Sequence, residues 1–348
     1  MPSAVEERRT AMPEKEKNMK IAAYEVRPDE KPVIESLCKE YGIELVSTPA
    51  NLDPTTANMA VGCDGVTTLG QSNYCNEVLD ELQGYGVKVL ASRCVGYNHM
   101  NCDYARSLGF RLCNGAYAPN GVAEYTVMAI LMCIRKFKKA LYNTNDNDFT
   151  LKGKMGRELR TMTVGVMGTG KIGYTVIKCL GCRILANDVY QNDAVRQYAE
   201  YVDLDTLYRE SDIITIHTPL LPETTGMINR EALAKMKDGV VLIDNARGEL
   251  VDIDAIIEGV ETEKIGALFM DAFPGETGII HVPHNDDIIK TPGMPYFKLK
   301  YLRSFVNVYH TPHMAFFTEE AAESMARCGI DSIHEILTTG KSSHEIPC

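Results

Sequence analysis

The chain has no excess of basic residues, no apolar run long enough to cross a bilayer and no internal repeat. Thirty-six Lys and Arg face 47 Asp and Glu, a net charge of −11. That excludes the basic face a nucleic-acid partner needs. The longest apolar run, Val127–Cys133, falls far short of the roughly 20 residues of a membrane span, so no membrane partner is expected. Without self-similarity at a period of about 20–50 residues, solenoids and propellers drop out. The first 18 residues, rich in Glu, Lys and Arg, lack the apolar core of a secretory signal and read as a solvated extension. Eleven cysteines are an odd number, scattered through apolar runs such as those holding Cys63, Cys94, Cys113 and Cys133. They suit small buried hydrophobes in a reducing cytoplasm better than a disulfide framework. Cys179 and Cys182 form one C-x-x-C with no second pair at zinc spacing, so no metal site is expected.

What is present is a rhythm. From Met19 to Cys113 short apolar strands alternate with amphipathic stretches, with strands expected at Lys20–Tyr24, Gly65–Leu69, Val87–Ser92 and Phe110–Cys113. The rhythm restarts at Thr163–Met167, Arg183–Asn187, Ile213–His217, Val240–Ile243, Ala267–Met270 and Val306–Tyr309. Alternation of this kind predicts an α/β protein with two doubly wound parallel sheets, Rossmann-like or flavodoxin-like. Two long helical patterns, Pro119–Asn143 and Thr318–Thr339, would join the two domains. The expected division is a discontinuous substrate domain, residues 1–116 and 314–348, around a cofactor domain of residues 117–313. Residues 277–304 are too long for a plain loop and predict a short helix near Phe297–Leu302.

Chemistry is carried first by Gly168-Thr169-Gly170-Lys171-Ile172-Gly173, which follows a strand and opens a helix. Three glycines so placed allow a tight turn, close backbone approach to a pyrophosphate, and close helix–strand packing. Asp188 ends the next strand, where a carboxylate binds ribose hydroxyls and repels a 2′-phosphate. The cofactor read from this pattern is NAD. Arg247 follows strand Val240–Ile243, at the sheet edge where ligands collect, and can hold a carboxylate with a two-pronged contact. His313 follows the last strand and Glu276 lies beyond strand Ala267–Met270. A carboxylate on one imidazole nitrogen orients the ring and leaves the other nitrogen to give or take a proton. His310, His281 and His284 have no such partner in sequence and read as structural or surface residues.

With these motifs, residues 20–338 resemble the D-isomer-specific 2-hydroxyacid dehydrogenases. The resemblance is carried by Gly-Thr-Gly-Lys-Ile-Gly, Met236-Lys237-Asp238-Gly239, Ala246-Arg247-Gly248-x-x-Val251-Asp252, Glu276 and Thr311-Pro312-His313. It is most similar to the D-lactate dehydrogenase branch, including the enzymes of vancomycin-resistance operons, through Ser92–His99, Ala116–Asn120 and His313–Thr318. The resemblance implies Arg247, Glu276 and His313 as catalytic residues. It implies the backbone of Val95 and Gly96 on the substrate carboxylate, with Tyr117 nearby. For NAD it implies Gly168, Gly170, Lys171, Ile172, Gly173, Asp188, Thr218, Pro219, Thr224, Asn245, Ala246, Arg247 and Asp271. The chain departs from the family pattern in two places: the segment from Gly173 to Asp188 is about one helical turn short, and Pro274 replaces an acidic residue.

The resulting expectation is an NAD-dependent oxidoreductase that reduces a small or aliphatic 2-oxoacid, pyruvate first, to the (R)-2-hydroxyacid. Leu69, Tyr117 and Phe316 are expected beside the substrate side chain. None is cationic, so a second buried carboxylate would go unpaired there. Larger 2-oxoacids (2-oxoisocaproate, phenylpyruvate, 2-oxoglutarate) and an NAD-sensing regulatory protein on the same fold are the alternatives. Formate dehydrogenases share the scaffold, but that branch would put Gln where Glu276 stands. The resemblance and the apolar helix Val122–Ile134 together predict a homodimer.

Overall fold

The computed structural model describes residues 18–276, 280 and 294–347. The expectation of a solvated extension therefore falls outside the described residues apart from Asn18, and His281 and His284 lie outside them too. The chain divides into two compact units, Met1–Tyr117 with Ala322–Cys348, and Ala118–Ala321.

The first unit runs β1 (Lys20–Ala23), α1 (Lys31–Glu40), β2 (Glu44–Ser47), β3 (Gly65–Thr68), α2 (Asn76–Gly84), β4 (Val89–Ser92), α3 (Cys102–Ser107) and β5 (Arg111–Cys113). All its strand pairs are parallel, in the order β2-β1-β3-β4-β5. Side chains of a strand alternate faces, and here both faces are covered. Ala22, Val66, Leu90 and Leu112 pack with Val78, Leu79 and Leu82 of α2. Ile21, Ala23, Val89, Ala91 and Cys113 pack with Ile34 and Leu37 of α1 and with Ala326, Ile330 and Ile333 near the end of the chain.

The second unit begins with α4 (Asn120–Ile134) and α5 (Phe137–Asn145) and continues β6 (Thr163–Met167), α6 (Lys171–Cys179), β7 (Arg183–Asn187), β8 (Glu200–Tyr201), α7 (Leu204–Glu210), β9 (Ile213–Ile216) and α8 (Arg230–Lys235). Then come β10 (Val240–Asp244), α9 (Ile253–Glu261), β11 (Ile265–Met270), α10 (Met294–Ser304) and β12 (Val308–His310). Its seven parallel strands lie in the order β12-β11-β10-β9-β6-β7-β8. One face, with Ile214, Leu242, Leu268 and Val308, packs on residues of α7 to α10. The other, with Val164, Val166, Ile243 and Phe269, packs on Ala129, Ile130 and Cys133 of α4 and Ile177 of α6. The strand after β6 lies on one side of it and β9 on the other, so the order reverses at the carboxyl ends of β6 and β9. A last helix, α11 (Glu319–Thr339), starts at the end of this unit and runs into the first. The Thr318 hydroxyl accepts from Ala321 N at its start.

Three expectations need correction. The single helix over Pro119–Asn143 is two, because Lys136 adopts the left-handed conformation (φ 51°, ψ 41°) between α4 and α5. No glycine or proline announces that break. Two strands were not foreseen, β2 and β8: one is half-exposed at a sheet edge, the other only two residues long. The last strand is Val308–His310, shifted beyond Val306–Tyr309 because a turn from Phe305 to Val308 follows α10. The short helix expected near Phe297–Leu302 is present and longer, as α10.

Candidate active site

The carboxyl ends of β6, β9, β10, β11 and β12 gather the chemistry of the second unit. After β6, Gly168 holds φ +86°, and a Cβ there would meet the His217–Thr218 backbone at 2.6–2.8 Å. A Cβ on Gly173 would lie 2.0 Å from Gly168 O, whereas nothing lies within 4 Å of the one built on Gly170. The first and third glycines thus close the turn on its neighbours, and the second leaves the approach open. Helix α6 starts at once, with no side chain capping its first N–H groups. Free N–H groups beside an open backbone surface fit a pyrophosphate. Lys171 and Ile172 open that helix.

Asp188 follows β7 and turns toward the same loop. Its Oδ2 accepts from Thr169 N (2.6 Å) and Thr169 Oγ1 (3.1 Å), while Oδ1 accepts from Tyr190 N (2.9 Å). On the far side of the reversal, Thr224 Oγ1 donates to Pro219 O (2.7 Å) and accepts from Leu221 N (2.8 Å), closing the loop after Thr218 on itself. His217 is half-buried there, and desolvation of its ring pushes the pKa down to about 4 and keeps it neutral. Helix α6 ends at Cys179, and only Leu180–Cys182 separate it from β7. Cys179 is exposed and Cys182 half-buried, and both are free thiols.

Arg247, Glu276 and His313 come from three successive strand ends. Gly248 presses the Arg247 turn on the Glu276 turn, since a Cβ there would lie 2.1 Å from Phe273 C and 2.3 Å from Pro274 N. Glu276 Oε2 accepts from Phe273 N (2.9 Å) and fixes the turn that carries Pro274. Its other oxygen, Oε1, meets His313 Nδ1 at 2.5 Å. His313 is held at φ +53°, its N–H donating to Asp271 O (2.8 Å) and Thr311 O (2.9 Å). A left-handed non-glycine residue costs on the order of 1–3 kcal/mol and persists where its surroundings demand it. The Asp271 carboxylate supplies the demand, accepting from Thr311 Oγ1 (2.5 Å), Met314 N (2.9 Å) and Ala315 N (2.7 Å). Nδ1 faces the carboxylate, so a proton exchanged with a substrate would pass through Nε2.

The other nominated residues take their places locally. Asn245 Nδ2 donates to Thr126 Oγ1 (3.1 Å) on α4. Arg247 Nη1 donates to Ala246 O (2.7 Å). Phe316 lies edge-on to His313, ring centroids 6.3 Å apart. His310 packs half-buried against Phe273, and desolvation pushes its pKa down to about 4, keeping the ring neutral. In the first unit Leu69 follows β3, Val95 and Gly96 follow β4, and Tyr117 follows β5. There a Cβ on Gly115 would lie 2.3 Å from Arg93 O, so the β4 and β5 exits run in contact.

The comparisons bear on what this arrangement does. The model of the D-isomer specific 2-hydroxyacid dehydrogenase NAD-binding domain matches residues 127–315. The chain belongs to that family. It is a two-domain NAD-binding oxidoreductase of the D-2-hydroxyacid dehydrogenase kind. It is 38% identical to the aromatic 2-oxoacid reductase of Clostridium sporogenes over 95% of this chain and 100% of that one. It is 34% identical to the D-lactate dehydrogenase of Escherichia coli, covering 91% and 97%. Among solved structures, D-2-hydroxyisocaproate dehydrogenase superposes with a TM-score of 0.84 at 31% identity, over 94% and 99%.

Two groups that order the loops after β1 and β3 in this dehydrogenase's first unit escaped the sequence reading. Glu25, at φ +53° and 7% exposed, accepts from Leu69 N (2.9 Å), Gln71 N (2.8 Å) and Ser72 Oγ (2.5 Å). Arg93, 0% exposed, donates to Tyr24 O (2.8 Å) and Glu25 O (3.1 Å) and pairs with Glu30 at 3.4 Å. The signal was an acidic residue at a strand end and a basic residue in an apolar context. Only their juxtaposition gives it meaning.

Proposed function

We propose that this family member reduces 2-oxoacids with uncharged side chains to (R)-2-hydroxyacids, with Arg247, Glu276 and His313 as the catalytic set. The observation that carries this reading is the 2.5 Å bond between His313 Nδ1 and Glu276 Oε1. It orients the ring so that protonation of the carbonyl oxygen would go through Nε2, with Glu276 balancing the ring's positive charge. Arg247 binds the substrate carboxylate with its planar fork and polarises the carbonyl beside it. The family resemblance assigns the backbone of Val95 and Gly96, in the first unit, to substrate binding as well. Gly168, Gly170, Lys171, Ile172 and Gly173 would hold the NAD pyrophosphate, Asp188 a ribose, and Thr218, Pro219, Thr224, Asn245, Ala246 and Asp271 the nicotinamide half. When bound, the reduced cofactor supplies the hydride, so that 2-oxoacid + NADH + H⁺ gives 2-hydroxyacid + NAD⁺.

Leu69, Tyr117 and Phe316 offer no cation to a second carboxylate, which favours pyruvate or an aliphatic homologue over 2-oxoglutarate. The Clostridium relative's name favours a second reading, an aromatic 2-oxoacid such as phenylpyruvate. NADH oxidation with pyruvate, 2-oxoisocaproate, phenylpyruvate and 2-oxoglutarate decides between them. The proposal expects 2-oxoglutarate to be the poorest of the four, and a preference for it would overturn the side-chain assignment. None of the described cysteines is in a disulfide, which supports a reducing, cytoplasmic setting.

A homodimer is part of the same reading. Met128 and Leu131 on α4, Leu141 and Tyr142 on α5, and Phe149, Leu151 and Met155 beyond it are all at least 40% exposed. A run of exposed apolar side chains over one segment supports a covered surface.

A further inference from the structure

Asp244 closes β10 immediately before the Asn245-Ala246-Arg247 turn, and its side chain is wholly buried. Oδ1 accepts from Ala246 N at 3.0 Å, and Oδ2 has no partner among the described residues. Its register neighbours are Ile216 on β9 and Met270 on β11, both apolar. Beyond Met270 on the same row stands His310, and beyond Ile216 follows His217. Both rings are kept neutral by burial, each with its pKa pushed down to about 4. Asp271, next to Met270, spends its oxygens on Thr311, Met314 and Ala315. The charges that act on Asp244 are Glu276, which disfavours its ionised form, and Arg247, which favours it. A carboxylate buried from solvent with one oxygen unpartnered among the described residues is expensive, so burial holds the proton on, pushing the pKa up to about 7.

We propose that Asp244 is a positioning residue that acts through Arg247, its charge setting how firmly the guanidinium holds the substrate carboxylate. Protonated, Asp244 leaves the positive charge of Arg247 to the anionic substrate. Ionised, it offsets that charge and adds a buried negative group close to where a carboxylate must bind. The proposal rests on the carboxylate-binding role of Arg247 given above.

Asp244→Asn keeps the shape and the acceptor for Ala246 N but carries no charge at any pH. With a 2-oxoacid and NADH, the wild-type KM should rise over about pH 6–9 by roughly threefold to tenfold more than that of the variant. The pH dependence of kcat should be alike in the two. The linkage sign supplies a readout free of cofactor and turnover. The folded-state pKa stands above an aspartate's ordinary 3.8, so the native state holds the extra proton between them. The stability this contributes is present at low pH and lost as pH rises through about 7. The melting midpoint of the cofactor-free wild type should therefore fall, relative to Asp244→Asn, across that range. Infrared spectra of the wild type alone should show a protonated-carboxyl band near neutral pH that titrates away above it. Absence of that band, or melting curves with the same pH dependence, would overturn the buried neutral acid. If both are seen but the two KM profiles overlay, the link to Arg247 is wrong. A failure of Arg247 to bind substrate would leave the band and the melting difference intact.

Discussion

Asp188 has two tasks that pull on one carboxylate. It braces the glycine turn through Thr169 N and Oγ1, and it is the group proposed to face a ribose. Substitution by Asn separates them, because the amide oxygen can still accept from Thr169 N while the charge that repels a 2′-phosphate is gone. We expect wild type to prefer NADH over NADPH in kcat/KM, and Asp188→Asn to narrow that preference by about tenfold, or roughly 1.4 kcal/mol. An unchanged ratio would assign Asp188 to bracing alone. At this scale the sequence was legible where a residue type has one plausible use in its setting: Gly168, Arg247, Glu276 and His313 all sit at strand ends. It was silent on Asp244, Glu25 and the buried Arg93–Glu30 pair. Losing one member of such a pair costs on the order of 3–5 kcal/mol, yet nothing local to either residue marks it.

Among the elements, strands buried on both faces were the easiest to read, because a short continuous apolar run has few other uses in an alternating chain. Ile213–Ile216 and Val240–Asp244 are buried along their whole length. Two of the four edge strands, β2 and β8, escaped because an edge needs less apolar surface: Glu44–Ser47 has no fully buried residue. The break at Lys136 escaped for a different reason. Lysine is a good helix former, and here it sits in a conformation that only tertiary packing imposes. One trace of that packing is Lys138, whose Nζ donates to Phe305 O (2.8 Å) and Val308 O (2.7 Å) while its N–H donates to Tyr309 OH (2.9 Å). A helix running straight through Lys136 would leave this register.

At the scale of the molecule, the chain builds one parallel sheet, then a second, and returns α11 to the first unit. The exposed apolar segment from α4 to Met155 supports the dimer proposal, so light scattering at micromolar protein should give about twice the 38.6 kDa of one chain. A mass near that of one chain would leave the segment without its proposed cover. The central claim is that His313, held by Glu276, is the proton donor for 2-oxoacid reduction, and the most direct measurement is single-turnover NADH oxidation by His313→Ala beside wild type. The account predicts NADH binding close to wild type, a rate lower by roughly 10²–10⁴-fold, and an (R)-2-hydroxyacid as the wild-type product. A His313→Ala enzyme that turns over at the wild-type rate, or a wild type that gives the (S)-product, would contradict it.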